Sequence, residues 1–268
     1  MTAIAVTIAG SDSSGGAGIQ ADLKTFAALG VYGASVITVL TAQNTQRVNA
    51  IHDVPAEFVG QQIDAVFTDL AVDAVKIGML SQVATIEAVA RGLDRHRANN
   101  IVLDPVMVAS SGDRLISPDA IDALRRHLIP RATVITPNLP EAAALLEHAP
   151  ARSEAEMEFQ ARALLDLRAQ AILIKGGHGE GPESVDLLVD ATSVTRFADM
   201  RVATKNTHGS GCTLSSAIAA GLAKGLDLKT AVRDAKTYVT AAIAAADSLR
   251  VGHGHGPLHH FHSQWRTP

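Results

Sequence analysis

The chain has 268 residues, of which 47% are hydrophobic, 19% charged and 3% aromatic, and its formal net charge at pH 7 is -4. This length is enough for a large core, whereas the mild acidity and the few aromatic residues exclude a broad basic or base-stacking surface for nucleic acid. The single cysteine, Cys212, excludes an intrachain disulfide and a cysteine-rich zinc or iron–sulfur centre.

In the first half of the chain, short apolar runs alternate with longer Ala- and Leu-rich segments. The short runs predict strands over residues 4–8, 31–39, 74–77 and 101–103. The longer segments predict helices over residues 19–29, 55–68, 81–96 and 118–128. We expect Ser81 and Ser117 to be the N-caps of the last two helices.

The same alternation continues in the second half. Strands are predicted over residues 134–136 and 171–174, followed by a hairpin over 185–189 and 194–202. Helices are predicted over residues 139–148, 154–167, 212–224 and 228–248. The histidine-rich tail 252–262 is irregular, and we expect it to pack on the surface. The loop 108–115 is rich in Ser and Gly and is predicted to be a lid.

This order of elements is typical of βαβ units and predicts an α/β fold with a mostly parallel sheet, in a single domain over residues 1–268. In such sheets, ligands bind beyond the carboxyl ends of the strands. Polar and glycine-rich clusters follow six of the predicted strands, after Ile8, Val39, Ile77, Leu103, Thr136 and Ile174. We therefore expect a small-molecule site at that edge of the sheet.

A glycine-rich turn leads into a predicted helix at Gly209-Ser210-Gly211-Cys212. Small residues allow the backbone to approach a ligand, and a helix N-terminus favours an anion. A thiol at this position is expected to have a pKa below the free value of about 8.5. The turn therefore predicts an anion hole with a candidate base beside it, and the adjacent His208 is a candidate positioning residue.

A second glycine-rich turn, over residues 10–18, follows the first predicted strand. It lacks the G-x-G-x-x-G order of a dinucleotide fingerprint, so its position predicts only a small-molecule contact. After later strands, Gln43 offers an amide to the edge of a heterocycle, and Met79 offers a flexible apolar cover for a flat ring. Either residue is equally consistent with a turn or a core position.

Charged residues follow three more of the strands. Asp104 and Glu141 supply oxygen ligands of the kind that suit Mg²⁺ held together with phosphate and water. For Asn138 and Glu141 alone, a helix-capping box is the favoured interpretation. Lys175 is suited to a phosphate contact, or equally to a solvated strand end.

Eight motifs in a fixed order cover nearly the whole chain. They are AGSDSSGGAGIQADLKTF at 9–26, TAQNT at 41–45, VKIGML at 75–80, DPVM at 104–107, TPNLPEA at 136–142, LIKGGH at 173–178, THGSGCTLSSAIAAGLAKG at 207–225 and GHGPLHHFH at 254–262. In this combination the chain resembles the ribokinase-like kinases, and among them the hydroxymethylpyrimidine/phosphomethylpyrimidine kinases of thiamin biosynthesis.

The resemblance implies a three-layer α/β/α fold and a kinase that uses Mg·ATP. The implied substrate is 4-amino-5-hydroxymethyl-2-methylpyrimidine, whose monophosphate is then phosphorylated to the diphosphate. The resemblance also implies a homodimer that binds the pyrimidine and ATP. The N-terminus lacks the basic region of a signal peptide, and no apolar run approaches about 20 residues, so the sequence itself predicts a cytoplasmic protein without a nucleic-acid or membrane partner.

The resemblance also implies roles for individual residues. The pyrimidine pocket would be lined by Gly10, Asp22, Gln43, Met79 and Val106. Asp104 and Glu141 would lie near Mg²⁺ and the phosphates, largely through water. Lys175 would contact ATP phosphate, with Thr207 and Lys236 as further residues on the nucleotide side. Residues 209–212 would form the anion hole, and Cys212 would accept the alcohol proton or only position the substrate.

Two alternatives remain open at this point. A pyridoxal, pyridoxine or pyridoxamine kinase acts on a similar hydroxymethyl group on a flat ring. A nucleotide-binding regulator without catalysis would keep the fold, although four residues together disfavour it, namely Asp104, Glu141, Lys175 and Cys212. Most sugar kinases of the wider fold are similar but carry aspartate at the position of Cys212, which favours the vitamin-precursor branch.

Overall fold

The protein is described by a computed structural model over residues 1–107, 116–177, 179 and 181–265. The strands are β1 (Ile4–Asp12), β2 (Tyr32–Gln43), β3 (Val48–Asp53), β4 (Ala74–Ile77), β5 (Ile101–Leu103), β6 (Val134–Ile135), β7 (Ala171–Lys175), β8 (Glu183–Asp190) and β9 (Val194–Met200). The α-helices are α1 (Gly18–Ala28), α2 (Ala56–Phe67), α3 (Val83–Arg95), α4 (Pro118–Ala123), α5 (Leu139–Leu146), α6 (Glu154–Leu165), α7 (Ser210–Ala223) and α8 (Leu228–Ala244).

The strands of this part of the chain form a single sheet in the order β3-β2-β1-β4-β5-β6-β7-β8-β9. The six adjacent strands β2-β1-β4-β5-β6-β7 pair in parallel. At one edge β3 pairs antiparallel with β2, and at the other β8 pairs antiparallel with β7 and β9 with β8. This confirms the predicted α/β fold with a mostly parallel sheet. Strands such as β4 and β5 are buried along their whole length, because helices cover both faces of the sheet.

The helices lie in two layers, one on each face of the sheet. On one face, Ile63 of α2 and Val89 of α3 pack in the same apolar cluster as Ile77 of β4, together with residues of α4, α5 and α6. On the other face, Phe26 of α1 and residues of α7 and α8 pack with Ala74 of β4. Because successive side chains of a strand point to opposite faces, each strand contributes to both clusters. The three-layer α/β/α arrangement is confirmed.

The sheet differs from the predicted strands at its first edge. β1 continues through the predicted turn to Asp12, and β2 continues to Gln43. The edge strand β3 was not predicted at all. It pairs antiparallel with β2, for example Thr41 with Ile51, and most of its side chains are exposed. A strand that is exposed on both faces carries no alternation of apolar residues from which it can be recognised.

Two predicted helix features are also corrected. Ser81 is not an N-cap: α3 begins at Val83 with Gln82 as its N-cap, and the hydroxyl of Ser81 donates instead to Asp53 Oδ1 at 2.5 Å. The predicted helix 118–128 begins as expected, with Ser117 accepting from the amide of Ala120. Its α-helical part ends at Ala123, however, and continues as a π-helical turn over Leu124–Leu128.

The tail 252–262 is irregular as predicted, but it is not confined to the surface. Leu258 and His260 are buried, and the imidazole of His260 hydrogen-bonds with Thr213 Oγ1 at 3.1 Å. The tail also contacts the β2–β3 turn, where the amide of His255 donates to Thr45 O at 3.0 Å. The predicted lid, 108–115, lies outside the described residues. Among the helices that are described, none combines the length and the apolar character needed to cross a bilayer.

Candidate active site

A cavity of about 770 Å³ opens at the carboxyl ends of the parallel strands, where the fold class predicts ligands to bind. Its volume lies in the range of small-molecule sites. The residues predicted from the sequence that line it are Gly10, Gln43, Met79, Asp104, Val106, Glu141, Lys175, Thr207, Gly209, Ser210, Gly211, Cys212 and Lys236. The fold therefore brings these residues together from positions throughout the chain, and their individual roles stay predictions.

Asp22 is the exception, because it is not among the residues that line the cavity. Its side chain is fully buried behind the cavity. It accepts hydrogen bonds from Thr7 Oγ1 at 2.6 Å and from Ser216 Oγ at 2.6 Å, and forms an ion pair with Lys76 Nζ at 2.8 Å. Asp22 therefore has no surface in the cavity, and it affects the cavity only through the residues that it bonds, such as Lys76.

Gly10, Met79 and Gln43 line the cavity on the side of β1 and β2. A Cβ atom on Gly10 would lie 2.6 Å from Val39 Cγ1 and 3.5 Å from the sulfur of Met79. Only glycine leaves room at this position. Nearby, the amide oxygen of Gln43 accepts from Thr41 Oγ1 at 3.1 Å, which leaves its NH₂ group available to a ligand. The arrangement suits a flat polar ring.

Lys175 lies at the centre of the cavity floor between two carboxylates. Its Nζ is 2.7 Å from Asp104 Oδ1 and 3.9 Å from Glu141 Oε2. The capping box between Asn138 and Glu141 is confirmed, since each side chain bonds the backbone amide of the other residue, at 2.7 and 2.9 Å. Glu141 thus caps α5 and lines the cavity at the same time.

The protonation of these groups follows from burial and from their mutual charges. Burial alone would raise the pKa of Asp104, but the positive charges of Lys175 and Lys76 hold it below its ordinary value. Burial alone would lower the pKa of Lys175, but Asp104 and Glu141 raise it. Burial raises the pKa of Glu141 to about 7; the positive charge of Lys175 opposes this rise, and the negative charge of Asp104 adds a smaller contribution to it. The floor therefore carries one fixed ion pair and one carboxyl group that titrates near neutrality.

The start of α7 is built for close approach of an anion. Its N-cap, Gly209, has φ +83°, and a Cβ there would lie 1.9 Å from Gly16 O, so glycine is required. No side chain caps the helix and no acidic residue lies in its first turn. The amide of Ser210 donates to Thr207 O at 3.1 Å, and the helix dipole favours an anion at the following amides, those of Gly211 and Cys212.

Cys212 lies in this first turn, but its predicted low pKa is wrong. Burial raises the pKa of the thiol to about 11, and the negative charges of Asp22 and Asp104 add to this effect. The charge of Lys76 and a hydrogen bond from the amide of Gly18 act in the opposite direction but do not compensate for the burial. The sequence showed the helix N-terminus but not the burial of the sulfur.

Lys76 is a cavity residue that the sequence analysis did not identify. It lies in the fully buried strand β4, and its charge is neutralised by Asp22. The available signal was a single lysine inside the apolar run from Ala74 to Ile77. A lysine in such a run needs a buried partner, because burial of an unpaired ammonium group is strongly unfavourable.

A second residue that was not identified is Asp12, which joins the two glycine-rich turns. His208 Nε2 lies 2.9 Å from Asp12 Oδ2, and both side chains are buried. Burial would raise the pKa of Asp12, but hydrogen bonds from His208 and Ser14 lower it to about 2. The expectation that His208 has a positioning role is consistent with this contact.

Lys236 lines the far end of the cavity, but its ammonium group is already paired. Nζ lies 2.7 Å from Asp186 Oδ2 and donates to Ser184 O at 2.9 Å. The other oxygen of Asp186 accepts from the amide of Gly176 at 2.9 Å. The predicted contact of Lys236 with a nucleotide would therefore compete with this pair. The same end is lined by apolar side chains of β9, α8 and their neighbours, namely Met200, Val202, Val239 and Ile243.

Comparison with known proteins gives one consistent result. The family model described as phosphomethylpyrimidine kinase matches residues 12–259. The hydroxymethylpyrimidine/phosphomethylpyrimidine kinase of Rhizobium meliloti is 59% identical over 266 residues, which is 99% of this chain and 100% of the relative. The enzyme of the same description from Escherichia coli is 52% identical over 261 residues, or 97% of this chain and 98% of the relative.

Two solved structures extend the comparison to the fold. The ADP complex of Bacillus subtilis pyridoxal kinase has a TM-score of 0.92 and 37% identity, covering 99% of this chain and 100% of that one. The phosphomethylpyrimidine kinase of Clostridium difficile has a TM-score of 0.80 and 44% identity, covering 90% of this chain and 99% of that one.

Proposed function

The chain belongs to the phosphomethylpyrimidine kinase family, and on this premise we propose that its cavity is divided into a pyrimidine end, a transfer centre and a nucleotide end. The enzyme is a kinase that uses ATP to phosphorylate hydroxymethylpyrimidine and then phosphorylates the monophosphate to the diphosphate, in thiamin biosynthesis. What remains to be assigned is which residues serve each part of the reaction.

The observation that carries the assignment is the approach of the Lys175–Asp104 pair to the start of α7. The ion pair is 2.7 Å long, and a Cβ on Gly211 would lie 3.2 Å from Lys175 Nζ. A phosphate that lies against both groups contacts the ammonium group and the helix amides together. Phosphoryl transfer depends on this alignment and charge neutralisation more than on covalent help.

At the pyrimidine end, the ring lies against Gly10, Met79 and Val106. The amide of Gln43 bonds its polar edge, and the hydroxymethyl group points to Cys212. These positions are supported by the common cavity and by the narrow space over Gly10. At the nucleotide end, the apolar side chains of Met200, Val202, Val239 and Ile243 cover the adenine, with Thr207 and Lys236 on the same side.

The carboxylates at the cavity floor fit a Mg²⁺ ion that is held mainly by phosphate oxygens and water. No group of three or more His, Cys, Asp or Glu residues in the described ranges could hold a metal ion without a ligand. Asp104 and Glu141 supply two carboxyl groups, which is the number that Mg²⁺ commonly takes from the protein at phosphate-transfer sites. Such an ion neutralises charge on the transferring phosphate. Within the protein, Lys175 orients Asp104, and Asn138 orients Glu141.

For Cys212, the raised pKa supports positioning of the substrate hydroxyl over early proton removal. A thiol with a pKa of about 11 is protonated at neutral pH. A loose transition state requires little deprotonation of the attacking alcohol before the new bond forms. Cys212 therefore orients the hydroxymethyl group, and the hydroxyl proton passes late in the transfer to an oxygen of the transferred phosphoryl group.

The test is a substrate panel with Mg·ATP, followed by phosphorus NMR. Hydroxymethylpyrimidine is expected to give a monophosphate and then a diphosphate signal, and the monophosphate alone to give the diphosphate. Absence of both products with active ATP consumption on another alcohol would contradict the assignment. Pyridoxal belongs in the panel, because solved pyridoxal kinases share the fold over nearly the whole chain. The homodimer and the cytoplasmic location remain predictions. Light scattering tests the first of them, because it measures the molar mass of the protein in solution.

A further inference from the structure

Helices α1 and α7 begin side by side at the edge of the cavity and are joined by a hydrogen bond. In their first turns, Gly18 and Cys212 both line the cavity. Four residues further along each helix, Ser216 Oγ donates to Asp22 Oδ1 at 2.6 Å. Since four residues make about one helical turn, the two helices run in parallel and in register.

Asp22 extends this connection to the sheet. Its carboxylate accepts from Thr7 of β1 at 2.6 Å and from Lys76 of β4 at 2.8 and 3.0 Å. One fully buried carboxylate therefore joins two strands and two helices. Any shift of α7 relative to the sheet must break a hydrogen bond to Asp22.

Stability alone does not explain a charged pair at this place. The side chains of Asp22 and Lys76 have no exposed surface. Buried ion pairs lose so much hydration that apolar residues of similar size are commonly as stable or more stable. Lys76 shares its face of β4 with Ala74, which packs in an apolar cluster. An apolar side chain would therefore fit the same layer.

Lys76 also lines the cavity together with Cys212, so its charge acts on the transfer centre. The charged groups that act on the sulfur are Lys76 and Lys175 on the positive side and Asp22 and Asp104 on the negative side. During transfer, negative charge accumulates on the oxygens between the substrate and ATP. A fixed ammonium group in a poorly hydrated site stabilises that charge.

We propose that Asp22 and Lys76 are positioning residues for phosphoryl transfer, with Asp22 holding the start of α7 in place through Ser216 and Lys76 supplying fixed positive charge near Cys212. This rests on the function proposed above, in which the start of α7 binds the transferring phosphate. In this role Asp22 lies behind the site and does not contact the pyrimidine.

Four variants and one control separate the effect of the position of α7 from the effects of the two buried charges and of protein stability. Ser216→Ala removes the contact between α7 and Asp22 and leaves every charge in place. Lys76→Met and Asp22→Asn each remove one charge with little change of shape. The double variant Asp22→Asn/Lys76→Met removes both charges, so that neither is left unpaired in the interior. Thr25→Val is the matched control: Thr25 is buried in α1, and its hydroxyl donates to Ala21 O at 2.7 Å and also hydrogen-bonds with Tyr238 of α8.

The first measurement is steady-state kinetics with hydroxymethylpyrimidine and Mg·ATP. Ser216→Ala and the double variant are expected to lower kcat by about 10-fold to 100-fold, because small displacements of aligned groups have effects of this size. Their KM values for both substrates are expected to stay within about twofold, as for an interaction that acts in the transition state. Thr25→Val should retain wild-type kinetics.

The second measurement is the rate of Cys212 alkylation by iodoacetamide, without any substrate. Cys212 is the chain's single cysteine, so the rate reports on one site. Below the pKa of the thiol, this rate follows the thiolate fraction. Lys76→Met is expected to slow alkylation by about tenfold, and Asp22→Asn to speed it, because their charges have opposite effects on the thiolate. Ser216→Ala and Thr25→Val should leave the rate unchanged.

These measurements distinguish the proposed positioning role from a merely structural role of Asp22 and Lys76. They also distinguish failure of this proposal from failure of the proposed function. A merely structural role would change alkylation in the same direction in Lys76→Met and Asp22→Asn, and that result overturns the proposal. A folded double variant with wild-type kcat and thermal stability also overturns it. If the wild-type protein phosphorylated no pyrimidine, the proposed function would fail, while the opposite alkylation shifts would still support the role of the charges.

Discussion

Gly211 and Lys175 approach so closely that a Cβ atom on Gly211 would lie 3.2 Å from Lys175 Nζ, and 3.7 Å from Asp104 Oδ2. The helix start and the strand end thus define a narrow space, with backbone amides on one side and an ammonium group on the other. The space exists because residue 211 is glycine, since the methyl group of an alanine there would fill it.

The first prediction is therefore that Gly211→Ala retains the fold and loses activity. Gly211 has no left-handed φ, and the nearest atom to a new methyl group is the end of a flexible lysine side chain. We expect the melting temperature to be unchanged and kcat to fall by about 100-fold, as when one oxyanion donor is lost. Thermal unfolding and steady-state kinetics measure the two effects.

Gly60→Ala is the matched control. Gly60 lies within α2, and a Cβ there would meet nothing within 4 Å. The change should stabilise the protein by about 0.5–1 kcal/mol, because alanine favours a helix interior, and should leave kcat unchanged. An equal loss of activity in both variants would show that Gly211 has no special role.

The second prediction concerns Cys212. Cys212→Ala is expected to keep the fold and to lower kcat by about 100-fold, with little change in either KM. Because the pKa of the thiol is about 11, the kcat–pH profile of the wild type should show no ionisation near 8.5 that the variant lacks. Unchanged turnover at saturating ATP would remove Cys212 from the mechanism.

Much of the fold was predictable, because its signals are local in the sequence. The capping box at Asn138 and Glu141 spans three residues, and the alternation of apolar strands and helices repeats along the chain. The contacts that define the site are not local. Lys76 and Asp22 are 54 residues apart, and His208 and Asp12 are 196 apart. No spacing rule joins such pairs before the sheet order is known.

Burial was the second quantity that sequence patterns did not provide. A helix N-terminus lowers the pKa of a thiol, whereas removal from water raises it. For Cys212 the sequence showed the first effect, and the second is larger in the folded protein. For Asp22, the resemblance implied a ligand contact, but the carboxylate is fully enclosed by Thr7, Lys76 and Ser216.

The third prediction separates the two substrates. Gln43→Ala is expected to raise the KM for the pyrimidine about tenfold, since an unpaired polar ring edge loses one hydrogen bond in a confined site. The KM for ATP should stay unchanged, because Gln43 lines the cavity at the end away from β9 and α8. Leu40→Ala, at an exposed position three residues earlier in β2, is a control expected to alter neither value. Equal increases in both KM values for Gln43→Ala would contradict the placement of the pyrimidine.

The fourth prediction concerns pH and Glu141. Burial raises the pKa of this carboxyl from its ordinary value of 4.5 to about 7. Between these two values the folded protein binds more protons than the unfolded chain, so stability falls as pH rises from about 4.5 to about 7 and changes no further above that. Glu141→Gln removes the titration but keeps the capping box, because glutamine also bonds the N-cap amide. The free energy of unfolding of the wild type, relative to Glu141→Gln, should therefore decrease across that interval when measured by urea denaturation at a series of pH values. A difference that stayed constant or increased with pH would show that Glu141 is ionised throughout, with its charge balanced by Lys175.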